Sequence, residues 1–120
     1  MTVPTVPPSA VHLQVATNIL DGTLRSAGIN QARAACWVTR RGLEELVSEL
    51  LCHRSVAVGR GSMRSKLICL SVTYADQPEN VAAILMAWDQ LSRACHHHAY
   101  ELTPTSAEAR HLIETLRAVT

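Results

Sequence analysis

The feature that most constrains the fold is a long run of apolar residues at helical spacing between Asn30 and Cys52. Residues that recur every three or four positions lie on one face of a helix. Asn30 is a favourable N-cap, and Arg40 and Glu44 form an oppositely charged pair four residues apart. The apolar residues are Ala32, Ala35, Cys36, Leu43, Leu46, Val47, Leu50 and Leu51. We therefore expect one long amphipathic helix that packs against other helices.

The chain before this helix predicts an N-terminal arm and a shorter helix. Three prolines among the first eight residues predict a flexible arm over 1–8. Ser9 is a favourable N-cap for a helix that runs to about Ala27, and Gly28 suits its end. The residues expected to face inward are Val11, Val15, Ile19, Leu20 and Leu24. Because 120 residues suffice for only one typical domain, we assign 9–120 to a single domain.

The segment "MRSKLICLSVTY", residues 63–74, is compatible with a helix and with a strand. Its second half contains the β-branched and aromatic residues that strands favour. However, Ser62 is a favourable helix N-cap, and Met63, Leu67 and Leu70 share a helical face. We predict a helix because the neighbouring segments are helical.

Two further helices complete the predicted fold. Pro78 suits the first turn of one of them, and "TSAE" forms a capping box in which Thr105 is the cap and Glu108 reaches back. The first has an apolar stripe of Val81, Ile84, Leu85, Trp88, Leu91 and Cys95. The second is lined by Ala109, Leu112, Ile113 and Leu116. The predicted fold class is all-α, a bundle of about five helices in which the second and fourth form a long central pair.

Groups that carry chemistry are concentrated in "LSRACHHHAYELTP", residues 91–104. Structural zinc needs three or four converging ligands, whereas adjacent residues on a helix diverge by about 100°. We therefore expect neither a metal nor another cofactor. Histidine titrates near neutral pH and serves as general acid or base, and a guanidinium stabilises a developing phosphorane. An arginine with histidines therefore suffices for cleavage of RNA without a metal.

The stretch "RACHHHAY" resembles the HEPN superfamily, and more closely the R-x4-H-x-Y form of its small ribonuclease toxins. Arg93, His98 and Tyr100 fall on the three defining positions. "ARAACWVTRRGLEELVSELL" looks like the long helix of that family, and the helical order agrees over about 10–118. The resemblance implies catalytic roles for Arg93 and His98 in an RNA-cleaving cleft shared by two copies. It also implies a nucleotidyltransferase antitoxin that adenylylates Tyr100.

The residue after the motif arginine allows a second interpretation. Many family members have a polar residue there, and this chain has Ala94. His96 or His97 can supply the polarity as auxiliary catalytic residues. Alternatively, Arg93 and these histidines form a solvated helix end, where basic groups favour the negative pole of the helix dipole. The chain would then be a non-catalytic helical interaction or regulatory module.

The spacing of Arg93 and His98 leads to a prediction about assembly. A five-residue step along a straight helix rotates a side chain by about 140°, so the two groups point apart. They converge if the helix breaks near His96 or if a two-fold axis brings in a second copy. We expect an isologous homodimer interface on the stripe from Val81 to Cys95.

Basic residues also gather between Glu49 and Asp76, where the chain has no acidic residue. This segment contains Arg54, Arg60, Arg64 and Lys66. Such an excess of positive charge can follow an RNA backbone, and a solvated basic loop is an equally good interpretation. We name these four residues as candidate RNA contacts.

The start of the chain and its cysteines bear on location. The opening "MTVPTVPPSA" lacks the basic start and apolar run of a signal peptide, and no apolar run is long enough to span a bilayer. The four cysteines are far apart in sequence and form no CxxC pair. We expect free thiols in a cytoplasmic protein with no membrane partner.

Overall fold

The computed structural model describes residues 6–24, 30–57, 59–96 and 104–119. Within these ranges the chain forms five α-helices and no strand. The helices are α1 (Pro8–Leu20), α2 (Gln31–His53), α3 (Met63–Thr73), α4 (Pro78–Cys95) and α5 (Ser106–Val119). The prediction of an all-α bundle of five helices is confirmed, with α2 and α4 the longest. In the part of the chain so described, no helix has the length and apolar character needed to cross a membrane.

The core is aliphatic and is organised around α2, which contacts each of the other four helices. Its innermost members come from α2, α3, α4 and α5 and include Leu43, Leu51, Leu70, Ile84, Leu91, Ile113 and Leu116. The core also contains Leu13 and Ala16 of α1. A single continuous core explains why five short elements hold together without a disulfide among the described residues.

Helix α1 packs closely against α2 at Gly42. A Cβ atom added to this glycine would lie 3.0 Å from the Cβ of His12 and 3.6 Å from Cδ2 of Leu13. Any larger residue would therefore push α1 away from α2. The glycine costs helix propensity but allows the two backbones to approach.

Side-chain caps mark the start of three helices as predicted. In each case a side-chain oxygen accepts a hydrogen bond from the backbone N–H three residues later. The bonds run from Arg33 N to Asn30 Oδ1 (3.2 Å), from Ser65 N to Ser62 Oγ (3.2 Å) and from Glu108 N to Thr105 Oγ1 (3.1 Å). The helical interpretation of the segment after Ser62 is thus confirmed.

The start of α1 differs from the prediction, because Ser9 is not the N-cap. The cap is Pro7, which has no side-chain donor or acceptor, and Ser9 lies in the first turn. Ser9 instead donates from its backbone N and from Oγ to the carboxylate of Glu49 on α2, at 3.0 and 2.5 Å. The group that satisfies this helix end therefore comes from another helix.

The end and the inward face of α1 also differ from the prediction. The helix ends at Leu20, and Gly22 follows with a φ of +81°, in the left-handed region that glycine adopts readily. The predicted end at Ala27 and Gly28 falls in 25–29, outside the described residues. Of the predicted inward residues, Ile19 is buried and Val15 and Leu20 pack against the core, whereas Val11 and Leu24 are exposed. The core also contains three residues that were not predicted to face inward: Ser9, Leu13 and Ala16.

The apolar stripe of α4 is largely used inside the single chain. Val81, Ile84 and Leu91 are buried in the core, whereas Leu85 points to solvent. These three buried residues are unavailable to a second copy, so the predicted isologous dimer interface, which stays a prediction, could use only the more exposed members of the stripe, such as Leu85.

Candidate functional site

Helix α4 ends just where the motif requires a change of direction. Its last residue is Cys95, and the backbone N of His96 donates to the carbonyls of Ser92 and Arg93, both at 3.2 Å. His96 itself has φ −79° and ψ 129°, an extended conformation that carries the chain away from the helix axis. Arg93 lies in the last turn, where a cation interacts favourably with the helix dipole. The helix that contains Arg93 thus ends at Cys95, before the chain reaches the motif residue His98.

The Arg93 side chain is 74% exposed and, among the described residues, has one ion-pair contact, with Asp89 one turn earlier. Its Nη2 lies 3.2 Å from Oδ2 of Asp89. Exposed pairs of this spacing contribute only about 0.3–0.5 kcal/mol, because water competes for both partners. The guanidinium can therefore exchange the carboxylate for another anion at little cost.

Two further guanidinium groups from α2 influence the same end of α4. Burial raises the pKa of the half-buried Cys95 thiol, and the positive charges of Arg40 and Arg33 oppose that rise. Arg40 also lies over the ring of Trp88, 4.4 Å from its centroid. The two arginines are seven residues apart and so share one face of α2. From the sequence, Arg40 was expected only in an ion pair with Glu44, and neither arginine was predicted as a site residue.

The thiols at this end of the bundle lack the properties of a nucleophile. Cys36 is fully buried, and burial raises its pKa to about 11, with smaller contributions from Cys95 and Glu108. A thiol becomes nucleophilic when its pKa is lowered, not raised. Cys36 and Cys95 therefore act as small packing groups.

Arg54, a predicted RNA contact, is engaged within the chain. Its Nη1 and Nη2 donate to the two carboxylate oxygens of Asp76 at 2.7 and 3.0 Å, and Nη1 also donates to the carbonyl of Thr73 at 2.8 Å. The guanidinium stacks on the ring of Tyr74, 3.9 Å from the centroid, while the Tyr74 hydroxyl donates to the carbonyl of Leu50. These contacts join the end of α2 to the turn between α3 and α4.

The other three predicted RNA contacts occupy different settings. Lys66 is half-buried, with Nζ 3.4 Å from Oγ of Ser48 on α2. Arg60 and Arg64 are exposed. Of the four cations, therefore, only Arg60 and Arg64 present their charge fully to solvent, and the predicted basic surface is smaller than the sequence suggested.

The remaining predicted site residues are His97, His98 and Tyr100, which fall in 97–103, outside the described residues. Among the described residues, Arg93 and the extended His96 lie at the same end of α4. The positive charges of Arg33 and Arg40 act on Cys95 at this end of the helix. In the described ranges, no three His, Cys, Asp or Glu side chains form a group that could hold a metal ion.

A cavity of about 520 Å³ lies elsewhere, between the first turns of α1 and the last turns of α2. Its walls are mainly aliphatic, and its polar groups include Glu49 and Arg117. Glu49 is bound to Ser9, and Arg117 donates to the hydroxyl of Thr17 at 3.0 Å. Since these charged groups serve contacts between helices, the cavity indicates no particular chemistry.

Comparison with known proteins adds no family to these observations. No family model matches the chain, and neither a curated protein nor a solved structure matches it. The resemblance to the HEPN superfamily therefore stays a prediction that rests on the motif and on the order of the helices.

Proposed function

We propose that this protein is a metal-independent endoribonuclease of toxin type, in which Arg93 and His98 act on one phosphate of an RNA chain. The observation that carries the proposal is the end of α4 at Cys95, followed by the extended His96. A continuous helix would point Arg93 and His98 in different directions. Because the helix ends at Cys95, three residues before His98, this rotation does not apply to the pair, and we propose that the two groups act together.

The proposed reaction is an in-line displacement at phosphorus. A histidine takes the proton of the ribose 2′-hydroxyl, and that oxygen attacks the phosphorus. The bond to the 5′-oxygen breaks, and this leaving oxygen takes a proton from a general acid. The products are a 2′,3′-cyclic phosphate and a 5′-hydroxyl. We assign one proton transfer to His98 and the other to the auxiliary His96 or His97.

Positive charge is the second requirement of this reaction. The phosphorane carries more negative charge than the ground state, and a guanidinium at hydrogen-bond distance stabilises it. The exposed Arg93 supplies this group, and Arg33 and Arg40 add positive charge near the same helix end. Arg60 and Arg64 are the exposed cations proposed to contact the RNA backbone farther away.

A homodimer with a composite cleft remains part of the proposal. The interface that we now propose is the exposed end of α4, since Val81, Ile84 and Leu91 of the apolar stripe are buried within one chain. Two copies that meet there would place two Arg93 side chains along one RNA strand. A two-fold axis at this end would also allow the histidines of one copy to serve the other.

Tyr100 provides a proposed point of control in the cytoplasm. A nucleotide attached to its hydroxyl by a nucleotidyltransferase antitoxin would place a bulky anion beside Arg93. That anion would occupy the position of the RNA phosphate and exclude it by charge and by volume.

The alternative function is a non-catalytic interaction or regulatory module. One observation favours it: Arg93 already has a carboxylate partner in Asp89, at 3.2 Å. In that case the charged end of α4 is a solvated helix terminus with a favourable dipole interaction.

A cleavage assay separates the two functions. Purified protein is incubated with total RNA in excess chelator, beside Arg93→Ala, His98→Ala and the matched control Arg110→Ala. Arg110 is also an exposed arginine in an ion pair, with Asp21 at 2.7 Å, but it lies on α5. We expect wild type and Arg110→Ala to cleave and to leave cyclic phosphate ends, and the other two to lose activity by about 10²-fold or more. Inactivity of all four proteins would contradict the proposal and support the module.

A further inference from the structure

Helices α3 and α4 expose large apolar side chains to solvent side by side. On α3, Ile68 is 59% exposed and Val72 is 74% exposed; on α4, Leu85 is 41% exposed and Met86 is 62% exposed. Single exposed apolar residues are common, whereas apolar side chains that line one groove between neighbouring helices, as Ile68 and Leu85 do, mark an interaction surface. We call Ile68, Leu85 and the residues that line the space between them the α3–α4 groove.

The groove has a volume of about 560 Å³. Its lining consists of Arg64, Leu67, Ile68, Ser71, Leu85 and Trp88. Ile68 and Leu85 supply apolar surface from the two helices, and Arg64 lies one turn before Ile68 on α3. An apolar channel with a cation at one end fits an elongated apolar ligand that carries negative charge.

Helix α3 is apolar on two opposite faces. Leu67 and Leu70 are buried in the core, while Ile68 and Val72 point outward on the opposite side of the same helix. A helix that is apolar on both faces is typical of one that packs on both faces. Within the described chain only the inner face of α3 is packed.

The charged side chain that lines the α3–α4 groove is Arg64, a cation. Helix α3 contains Arg64 and Lys66 and no acidic residue. On α4 the acidic Asp89, one turn after Leu85, is paired with Arg93. On the Trp88 side, Arg40 stacks on the indole and also pairs with Glu44 at 3.8 Å.

We propose that the α3–α4 groove binds an acidic amphipathic helix of a partner protein. Aliphatic side chains at positions i, i+3 or i+4, and i+7 of that helix would pack on Ile68 and Leu85, as in other helix-in-groove complexes. Its Glu or Asp side chains would face Arg64. The surface uses neither Arg93 nor the motif histidines, so it goes beyond the proposed catalytic site, and it shares Arg64 with the proposed RNA contacts.

A second copy of this chain is a poor occupant. An isologous contact through the groove would bring the two Arg64 guanidinium groups onto the same small apolar surface. Helix α3 has no carboxylate to compensate them. Repulsion between the two Arg64 side chains would oppose association of two copies, because the contact excludes water. An acidic helix would instead place a carboxylate opposite Arg64 and attract it.

The test uses a fluorescently labelled helical peptide of about four turns, with leucine at the i, i+3, i+4 and i+7 positions and glutamate at the exposed ones. A matched peptide has lysine in place of every glutamate. The proteins are the full chain, Ile68→Ser, Arg64→Glu and the control Val11→Ser, which changes an exposed valine on α1. All three substituted positions are exposed, so helicity should be unchanged, and a far-UV spectrum checks this.

We expect the glutamate peptide to bind wild type and Val11→Ser equally, and both Ile68→Ser and Arg64→Glu to weaken binding about tenfold or more. Arg64→Glu should bind the lysine peptide better than wild type does. Failure of wild type to bind the glutamate peptide, or equal binding of both peptides, would overturn the proposal. So would a dimer that Ile68→Ser converts to monomer in sedimentation, since the groove would then belong to a second copy.

The same variants separate this inference from the ribonuclease. Arg93→Ala should keep peptide binding whether or not the wild type cleaves RNA. Loss of peptide binding in Arg93→Ala, with binding retained in Arg64→Glu, would place the acidic partner at the end of α4 and contradict the groove.

Discussion

Arg54 and Arg93 each pair with an aspartate, yet the structure gives them different roles. The guanidinium of Arg54 binds both oxygens of Asp76, a backbone carbonyl and an aromatic ring, all well separated from it along the chain. Arg93 makes one ion-pair contact with Asp89, a neighbour on the same helix. The first arginine joins two parts of the fold, whereas the second holds a partner that it can exchange. An arginine that binds an RNA phosphate must be able to give up its carboxylate partner, and Arg93 meets this requirement better than Arg54 does.

The largest effect on stability is expected for Arg54→Ala. This change leaves Asp76 without its bidentate donor, Thr73 without a donor to its carbonyl, and the Tyr74 ring uncovered. We expect the melting temperature to fall by several degrees in a thermal unfolding scan. Arg54→Lys should recover little of the loss, because an ammonium provides neither the fork nor the flat stacking surface.

Arg110→Ala is the matched control for this change, since Arg110 has an ion pair with Asp21 but no ring contact among the described residues. A melting temperature for Arg54→Ala equal to that of Arg110→Ala would show that the Arg54 contacts do not stabilise the fold.

A smaller effect on the Arg54–Asp76 pair is expected from acid, which protonates Asp76. The hydrogen bond from Arg54 holds the pKa of Asp76 below its ordinary value of 3.8. A carboxyl whose pKa is lower in the folded state stabilises the fold above its unfolded pKa, and this contribution is lost as pH falls through the folded pKa. The stability difference between wild type and Asp76→Asn should therefore shrink as the pH is lowered below 3.8.

Thermal unfolding of both proteins at a series of pH values measures this difference. Asp89→Asn is the control, because it removes the carboxylate of the exposed Arg93–Asp89 pair instead. A difference between wild type and Asp76→Asn that stays constant down to pH values well below 3.8 would rule out the ion pair as its source.

The smallest effect on stability is expected for Arg93→Ala. It removes an exposed pair within one helix, which contributes at most about 0.5 kcal/mol. In urea denaturation the midpoint should hardly move and the slope should stay the same. A loss of stability comparable with that of Arg54→Ala would make Arg93 a structural residue and would remove the basis for its catalytic role.

Most of the fold was predictable because its signals are local. The N-caps are Asn30, Ser62 and Thr105. Each accepts a hydrogen bond from the backbone N–H three residues later, so its capping role can be predicted from the sequence nearby. The period of the apolar residues likewise predicted α2 and α5. Helix α1 was harder, since Ser9 has the composition of a cap but its partner, Glu49, is forty residues away.

The candidate site was less predictable for the same reason. Arg54 and Arg64 are similar in sequence context, and only the packing of α3 and α4 shows that Arg54 is bound to Asp76 while Arg64 is exposed. Leu85 belongs to a regular apolar stripe, but it is 41% exposed in the folded chain. A break in the helix near His96 was predicted as one of two ways in which Arg93 and His98 could converge. Helix α4 does end there, at Cys95.

The bond between Ser9 and Glu49 has a consequence for how the chain folds and opens. A helix of 13 residues is marginally stable alone, and α1 has no side-chain cap of its own. Its first turn is completed only when the middle of the chain is already helical and in place. The two helices therefore form a single cooperative unit, in which departure of α1 uncaps its own first turn and exposes the Glu49 carboxylate at once. Hydrogen exchange at the start of α1 thus reports the separation of two helices, in addition to the fraying expected of a free helix end.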